Sequence, residues 1–267
     1  MPISLDFEPK RISRREYHSM DYEVMSFVFE IQSEFGRMLD EKVYQNELAH
    51  RCREMGLEVR TEVPIRISFE GFSKSLSMDL LLDRCIDYEL KASERLVPAH
   101  HAQTLNYLLL AGMNWGKLVN MRPLSVEHEY VTTSMVGADR YKTVVRSADW
   151  KEVDNESDWF RDVLERMIAD WGAFIEVGLY REAICHFLGG EDVVTRRVPV
   201  QVDGREVGTQ RAYLLNDKTA FLITAVKKDM GRYERSLRKM FRLLPLQAMQ
   251  WVNFKNHDIF FKTFVRK

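Results

Sequence analysis

The chain has 267 residues, 45% hydrophobic and 30% charged, which is enough apolar material for one large or two small folded domains and excludes disorder as the main state. Its 39 basic and 40 acidic side chains leave a net charge of −1, which excludes a uniformly polycationic binder. Three widely spaced cysteines, Cys52, Cys85 and Cys185, exclude a disulfide framework and a CxxC motif, and no apolar run has the length of a membrane span or a signal-peptide core. The sequence therefore predicts a cytoplasmic protein with no membrane partner.

The elements follow from periodicity. Met25, Val28, Ile31, Phe35 and Leu39 recur at three- and four-residue steps and predict a helix over Tyr22 to Leu39. A second helix is expected from Asp40 to Met55, stopped by Gly56. The period then changes to two. Leu57, Val59, Thr61, Val63, Ile65, Ile67 and Phe69 alternate with polar residues, the pattern of a half-buried strand, and Glu70-Gly71 turns the chain. Two more strands, Leu76 to Leu82 and Cys85 to Ala92, are joined around Asp83-Arg84. Pro98 opens a helix through Leu110, and Lys117 to Met121 reads as a short final strand. The order is α-β-β-β-α-β. Pro123 to Trp150 reads as a connector, after which Asn155 to Ser157 offer caps for a further helix.

The later sequence echoes the earlier one. Phe35-Gly36, Val43-Tyr44, Val63-Pro64, Gly71 and Val119-Asn120 recur in the same order as Trp171-Gly172, Leu179-Tyr180, Val198-Pro199, Gly204 and Val252-Asn253. This predicts two copies of one fold, over 1–135 and 150–267. Charge divides along the same line. Residues 1–195 carry 23 basic and 34 acidic side chains, whereas residues 196–267 carry 16 and 6, and an excess of +10 calls for a polyanionic partner.

In the first copy, Asp79 lies on the second strand, and Glu89 and Lys91 leave one face of the third. Carboxylates brought together across a hairpin repel, and a divalent cation removes that cost. A neighbouring lysine can orient an attacking water or offset charge on a phosphoryl group, so the trio suits metal-assisted phosphodiester hydrolysis. By spacing alone a solvated strand face with a surface ion pair is the favoured reading. The α-β-β-β-α-β context, followed by a helix bearing Gln103, favours the chemistry.

At these residues the sequence resembles a family. Gly36-Arg37-Met38-Leu39-Asp40-Glu41-Lys42-Val43-Tyr44, Met78-Asp79-Leu80-Leu81, Tyr88-Glu89-Leu90-Lys91-Ala92, Gln103-Thr104-Leu105-Asn106-Tyr107-Leu108 and Leu118-Val119-Asn120 are similar to the GxxExxR proteins of the PD-(D/E)XK nuclease-like superfamily. The resemblance spans Tyr22 to Met121. It implies Asp79 and Glu89 as ligands of Mg²⁺ or Mn²⁺, Glu41 as the third member of the acidic cluster, Lys91 as the catalytic lysine and Gln103 beside the site. Met38 replaces the family's glycine, and Met78 stands where proline often precedes the aspartate.

The second copy lacks these groups. Asp79 maps to Ala212, Glu89 to Leu222, Lys91 to Thr224, Gln103 to Ser236 and Glu41 to Val177, so it is degenerate as a metal site. It carries a basic helix instead. Arg232, Arg235, Lys239 and Arg242 share a face, with Arg238 and Lys227-Lys228 nearby, and Leu237, Met240, Phe241 and Leu244 lie opposite. Such a stripe is either a solvated face or a phosphate-binding surface for DNA or RNA. The expectation is a tandem α/β protein, an intrachain pseudo-dimer with one intact site, acting as a metal-dependent nuclease. A non-catalytic nucleic-acid-binding or assembly protein with a relic site is the alternative.

Overall fold

Ser13 starts the first helix at Arg14, earlier than periodicity indicates. Its hydroxyl accepts from the Glu16 amide while Glu16 accepts from the Ser13 amide, a capping box that fixes the entry of α1 (Arg14–Phe35). The computed structural model describes residues 2–135 and 137–266, so Met1, Val136 and Lys267 lie outside the described residues. Within them the chain forms two compact units, Met1–Ser68 with Ser73–Asp139, and Phe69–Phe72 with Arg140–Lys267.

In the first unit β1 (Ile3–Leu5) precedes α1. Then come α2 (Glu41–Glu54), β2 (Val59–Phe69), β3 (Phe72–Leu82), β4 (Ile86–Lys91), α3 (Pro98–Ala111), β5 (Trp115–Asn120) and β6 (Glu127–Thr132). The six strands form one sheet in the order β1-β2-β3-β4-β5-β6. β4 and β5 run parallel, as a crossover through α3 requires, and β3·β4 and β5·β6 are antiparallel. The alternation along β2 puts Val63, Ile65 and Ile67 inside, at 2% exposure or less. One face of the sheet packs on α1 and α2 through Tyr17, Val24, Val28, Ile31, Tyr44, Leu48, Leu80, Tyr88 and Leu90. Against the other, Thr104 and Leu108 of α3 close on Gly116, where an added Cβ would lie 3.1 and 3.3 Å from them.

Two details depart from the expected elements. Helix α1 ends at Gly36, in the left-handed region at φ 70°, so Leu39 falls outside it and is exposed. The segment expected to be a connector supplies β6, whose alternation is visible but short, and pairing with β5 decides it.

The second unit contains β7 (Val144–Asp149), α4 (Asn155–Trp171), α5 (Val177–Phe187), α6 (Glu191–Val194), β8 (Thr195–Val202), β9 (Arg205–Leu214), β10 (Thr219–Thr224), α7 (Met230–Arg242), β11 (Ala248–Lys255) and β12 (Asp258–Val265). The cap of α4 is Asp154, whose carboxylate accepts from the Ser157 amide at 2.8 Å, one residue before the range expected. Its sheet has the order β7-β12-β11-β10-β9-β8, with β10·β11 parallel around α7 and β9·β10 antiparallel. The run β8 to β12 therefore has the order and directions of β2 to β6. The leading strands differ: β1 extends the sheet beside β2, whereas β7 pairs parallel with β12 at the opposite edge.

Local hydrogen bonds repeat as well. Tyr44 Oη donates to the carbonyl of Gly36, and Tyr180 Oη to that of Gly172. Asn120 bonds the amide and carbonyl of Ser93, at 3.1 and 2.8 Å. Asn253 bonds those of Val226, at 2.8 and 3.1 Å. In each unit a side-chain amide ties the end of the strand before the helix to the end of the strand after it.

Candidate metal centre

The site is built on the hairpin of β3 and β4. Asp83 and Arg84 both take positive φ, 47° and 57°, which makes a tight reversal and sets Leu80 opposite Tyr88 and Leu81 opposite Asp87. Strand alternation then separates two sets of side chains. Tyr88 and Leu90 enter the core beside α1, while Asp87, Glu89 and Lys91 take the face toward α3. Asp79 comes from β3, and its position is fixed reciprocally. The Asp79 amide donates to Glu89 Oε1 at 3.1 Å, and the Leu90 amide donates to Asp79 Oδ2 at 2.9 Å. Glu41, the first residue of α2, accepts from the Ala92 amide at 3.3 Å.

These elements bring three carboxylates around one ammonium. Lys91 Nζ lies 3.4 Å from Glu89, 3.7 Å from Asp79 and 3.9 Å from Glu41. These residues are mostly covered. The Glu89 side chain is 1% exposed, and those of Lys91 and Asp79 are 13% and 17%. Burial and then the Asp79 charge push the Glu89 carboxyl up to about 8. Burial also raises Asp79 and Glu41, against the pull of Lys91. Desolvation lowers Lys91, but the charges of Glu89, Asp79 and Glu41 outweigh it and hold the ammonium above its ordinary value.

Gln103 stands one step away. From α3 it donates to Tyr107 Oη at 2.8 Å, and Tyr107, raised to about 12 chiefly by burial, also feels Glu89, Asp87 and Asp79. Three further groups at the site are not singled out by motif or spacing. Gln45 of α2 donates to the Asp79 carbonyl at 2.5 Å and to Glu62 at 3.1 Å, and Glu62 also binds Lys42 at 2.6 Å. Asp87 is fully buried, neither carboxylate oxygen has a hydrogen-bond partner, and burial followed by the charges of Glu89 and Asp79 holds its carboxyl well above the ordinary range. The signal for Asp87 is the period of two, which puts it on the face of Glu89 and Lys91.

The donor set fits a hard divalent cation. It offers carboxylate oxygens only, under mutual repulsion and with an orphaned acid behind them, which is the condition a cation relieves. Among the described residues no group of three or more His, Cys, Asp or Glu side chains could hold a metal ion by itself. Asp79 and Glu89 would leave positions for water and phosphate oxygens, as Mg²⁺ usually requires.

Register defines the counterpart in the second unit. Lys91 pairs with Asn120 and Thr224 with Asn253, Glu89 with Leu118 and Leu222 with Trp251. Counting along the strands places Ala212 at the position of Asp79, Leu222 at that of Glu89 and Ala220 at that of Asp87. On α7, Leu237 and Phe241 are buried, while Arg232, Arg235, Arg238, Lys239 and Arg242 are exposed. Arg238, expected to be an open cation, is not one. It pairs with Glu234 at 2.7 Å and lies 4.2 Å over the Phe264 ring. Among the described residues Arg232, Arg235, Lys239 and Arg242 form no ion pair, because Glu234 also serves Lys262 at 2.8 Å.

Residues 18–132 match the family model of the PD-(D/E)XK nuclease superfamily, so the first unit contains a domain of that superfamily. Its members generally use divalent metals. No curated protein matches the chain. Among solved structures, the crystal structure of SSO0001 is similar at 18% identity over 47% of this chain and 64% of that one, with a TM-score of 0.26, too low to bear on the fold. No helix among the described residues is long and apolar enough to cross a membrane.

Proposed function

We propose that the protein is a divalent-metal-dependent nuclease that hydrolyses phosphodiester bonds of nucleic acid, with its active site in the first of two copies of one fold. The observation that carries the reading is the meeting of Lys91 with Asp79, Glu89 and Glu41 inside the segment that matches the nuclease superfamily. In this reading Asp79 and Glu89 hold Mg²⁺ or Mn²⁺, and Glu41 completes the cluster. A cation held there would supply Lewis-acid stabilisation of charge on the phosphoryl group. Released from its carboxylates, Lys91 orients the attacking water and balances charge at the phosphorus. Gln103, through Tyr107, keeps the wall of the site polar on the α3 side.

The second copy, over 150–267 as against 1–135, is in this reading a degenerate duplicate that grips substrate. Support comes from the common strand order, the paired Tyr44/Tyr180 and Asn120/Asn253 bonds, and the apolar residues Ala212, Ala220 and Leu222 at the register of Asp79, Asp87 and Glu89.

Titration of wild type and Asp79→Ala with Mg²⁺ and Mn²⁺, with a cleavage assay on mixed DNA and RNA, tests the reading. Metal binding and cleavage by wild type alone are expected. Metal-independent nucleic-acid binding with no cleavage would instead support a binding or assembly protein with a relic site. The grip has its own test. Neutralising Arg232, Arg235, Lys239 and Arg242 together is expected to weaken binding and to flatten its salt dependence by a slope of roughly 0.7 to 0.9 for each phosphate no longer neutralised. The rate at saturating substrate should change far less, because uniform binding is what is removed. Unchanged affinity and slope would make the stripe a solvated face.

A further inference from the structure

The second unit has a cavity of about 200 Å³ at the register of the missing carboxylates. Ala212 and Leu222, at the positions of Asp79 and Glu89, form part of its wall. Leu237, Met240 and Met249 line it with them, beside Gln210, and Tyr233 stands at the mouth, 37% exposed. The rings of Tyr213 and Phe221 turn to the other face of the sheet, where Phe221 packs on Phe160. Tyr233, Leu237 and Met240 recur at four- and three-residue steps, so one face of α7 looks into the cavity. Arg232 and Lys239 lie on the next face round, within the unpaired basic stripe. A position held by carboxylates in one unit is thus an aliphatic slot with one tyrosine at its mouth, beside exposed positive charge, in the other.

We propose that this slot takes an unpaired nucleobase from a strand whose phosphates lie along Arg232, Arg235, Lys239 and Arg242. A lining of Leu, Met and Ala with the Tyr233 ring at its mouth favours a flat uncharged ligand that can stack on that ring, while the adjoining stripe favours a polyanion. A nucleic-acid strand with an unstacked base carries both on one molecule. A duplex keeps its bases paired and offers only the phosphates, so the slot should make the second unit prefer single-stranded segments. The inference rests on the reading of α7 as the substrate grip, and it is independent of whether the first unit cuts.

Fluorescence anisotropy of the full chain in EDTA, where cleavage plays no part, tests it with three probes of equal length: a single-stranded oligonucleotide, the same strand made of abasic sites, and a duplex. The abasic strand is expected to bind about tenfold more weakly than the normal strand, a typical stacking effect. Tyr233→Ala should lose about the same factor on the normal strand and little on the abasic one, with an unchanged salt slope, whereas Tyr233→Phe should keep wild-type affinity. Ala212→Leu, which fills the slot from the sheet side, should reproduce the loss, with circular dichroism confirming that both variants fold. Equal binding of normal and abasic strands, or an unaffected Tyr233→Ala, would overturn the proposal and leave the basic stripe standing. No affinity for any probe would remove both. Base-dependent binding by a protein that cuts nothing under Mg²⁺ would uphold the slot and remove the nuclease reading.

Discussion

Replacing Asp79, Glu89 or Lys91 by alanine is expected to slow cleavage by about a hundredfold or more, since each removal takes a metal-site group from the reaction. The three variants should differ in stability, which separates their roles. Asp79→Ala and Glu89→Ala each relieve the crowding of acids but take the acceptor from one backbone amide, Leu90 or Asp79 respectively, so the two effects offset and the folding cost should be modest. Lys91→Ala removes the ammonium within 3.4 to 3.9 Å of three carboxylates. That variant should melt lower in EDTA and recover with Mg²⁺, because a bound cation restores the lost counter-charge. Metal binding should also release protons. Glu89, raised to about 8, is protonated below that pH, and a cation must displace the proton to bind it. Affinity for Mg²⁺ is therefore expected to rise with pH and level off near 8, with proton release measured by calorimetry in buffers of different ionisation heat. Cleavage by Asp79→Ala at the wild-type rate would refute the assignment.

Lys117→Met is expected to destabilise the first unit by about 3–5 kcal/mol, the usual cost of leaving one partner of a buried ion pair. Lys117 is fully buried and donates to Asp21 Oδ2 at 3.0 Å, while Tyr88 donates to Asp21 Oδ1 at 2.5 Å. The Lys117 ammonium also lies 3.7 Å from the centre of the Tyr130 ring. Asp21 of α1 thus ties together Lys117 of β5 and Tyr88 of β4 on the face opposite Glu89, so losing that tie loosens the support of both strands. Asp21→Leu with Lys117→Met should recover most of the stability, because no unpaired charge then remains inside. Urea unfolding of the two single variants and the double variant closes the cycle. Additive losses would show that the pair is not energetically coupled.

Much of this architecture can be read from the amino acids alone. The alternation of Val63, Ile65 and Ile67 and the helical steps of Met25, Val28 and Ile31 declare their elements, because one-sided burial imposes a period on any sequence. The capping box at Ser13 is written in the residues Ser13 to Glu16 and marks the start of α1 better than its apolar residues do, since Tyr17 is the one core residue of the first turn and shows no period by itself. The order of echoes from Gly36 to Asn253 needs no coordinates either, and the tyrosines and asparagines at those points make matching backbone bonds in the two units. Asp79, Glu89 and Lys91 are nameable because alternation within β4 and a tight hairpin leave little choice of face.

Tertiary structure decided what depends on distance and burial. Short edge strands such as β1, β6 and β7 exist only through their partners, and the opposite edges taken by β1 and β7 follow from pairing that no local pattern encodes. The raised Glu89 carboxyl and the orphaned Asp87 arise because α3 closes over that face through Gly116, and desolvation is a property of the packed state. In the sequence Arg238 is one more cation of the stripe, and packing is what sets it between Glu234 and the Phe264 ring. Residue type and spacing determined which groups this protein could bring to a site. Packing determined their charge, because the energy of a carboxylate or an ammonium depends on what surrounds it in three dimensions.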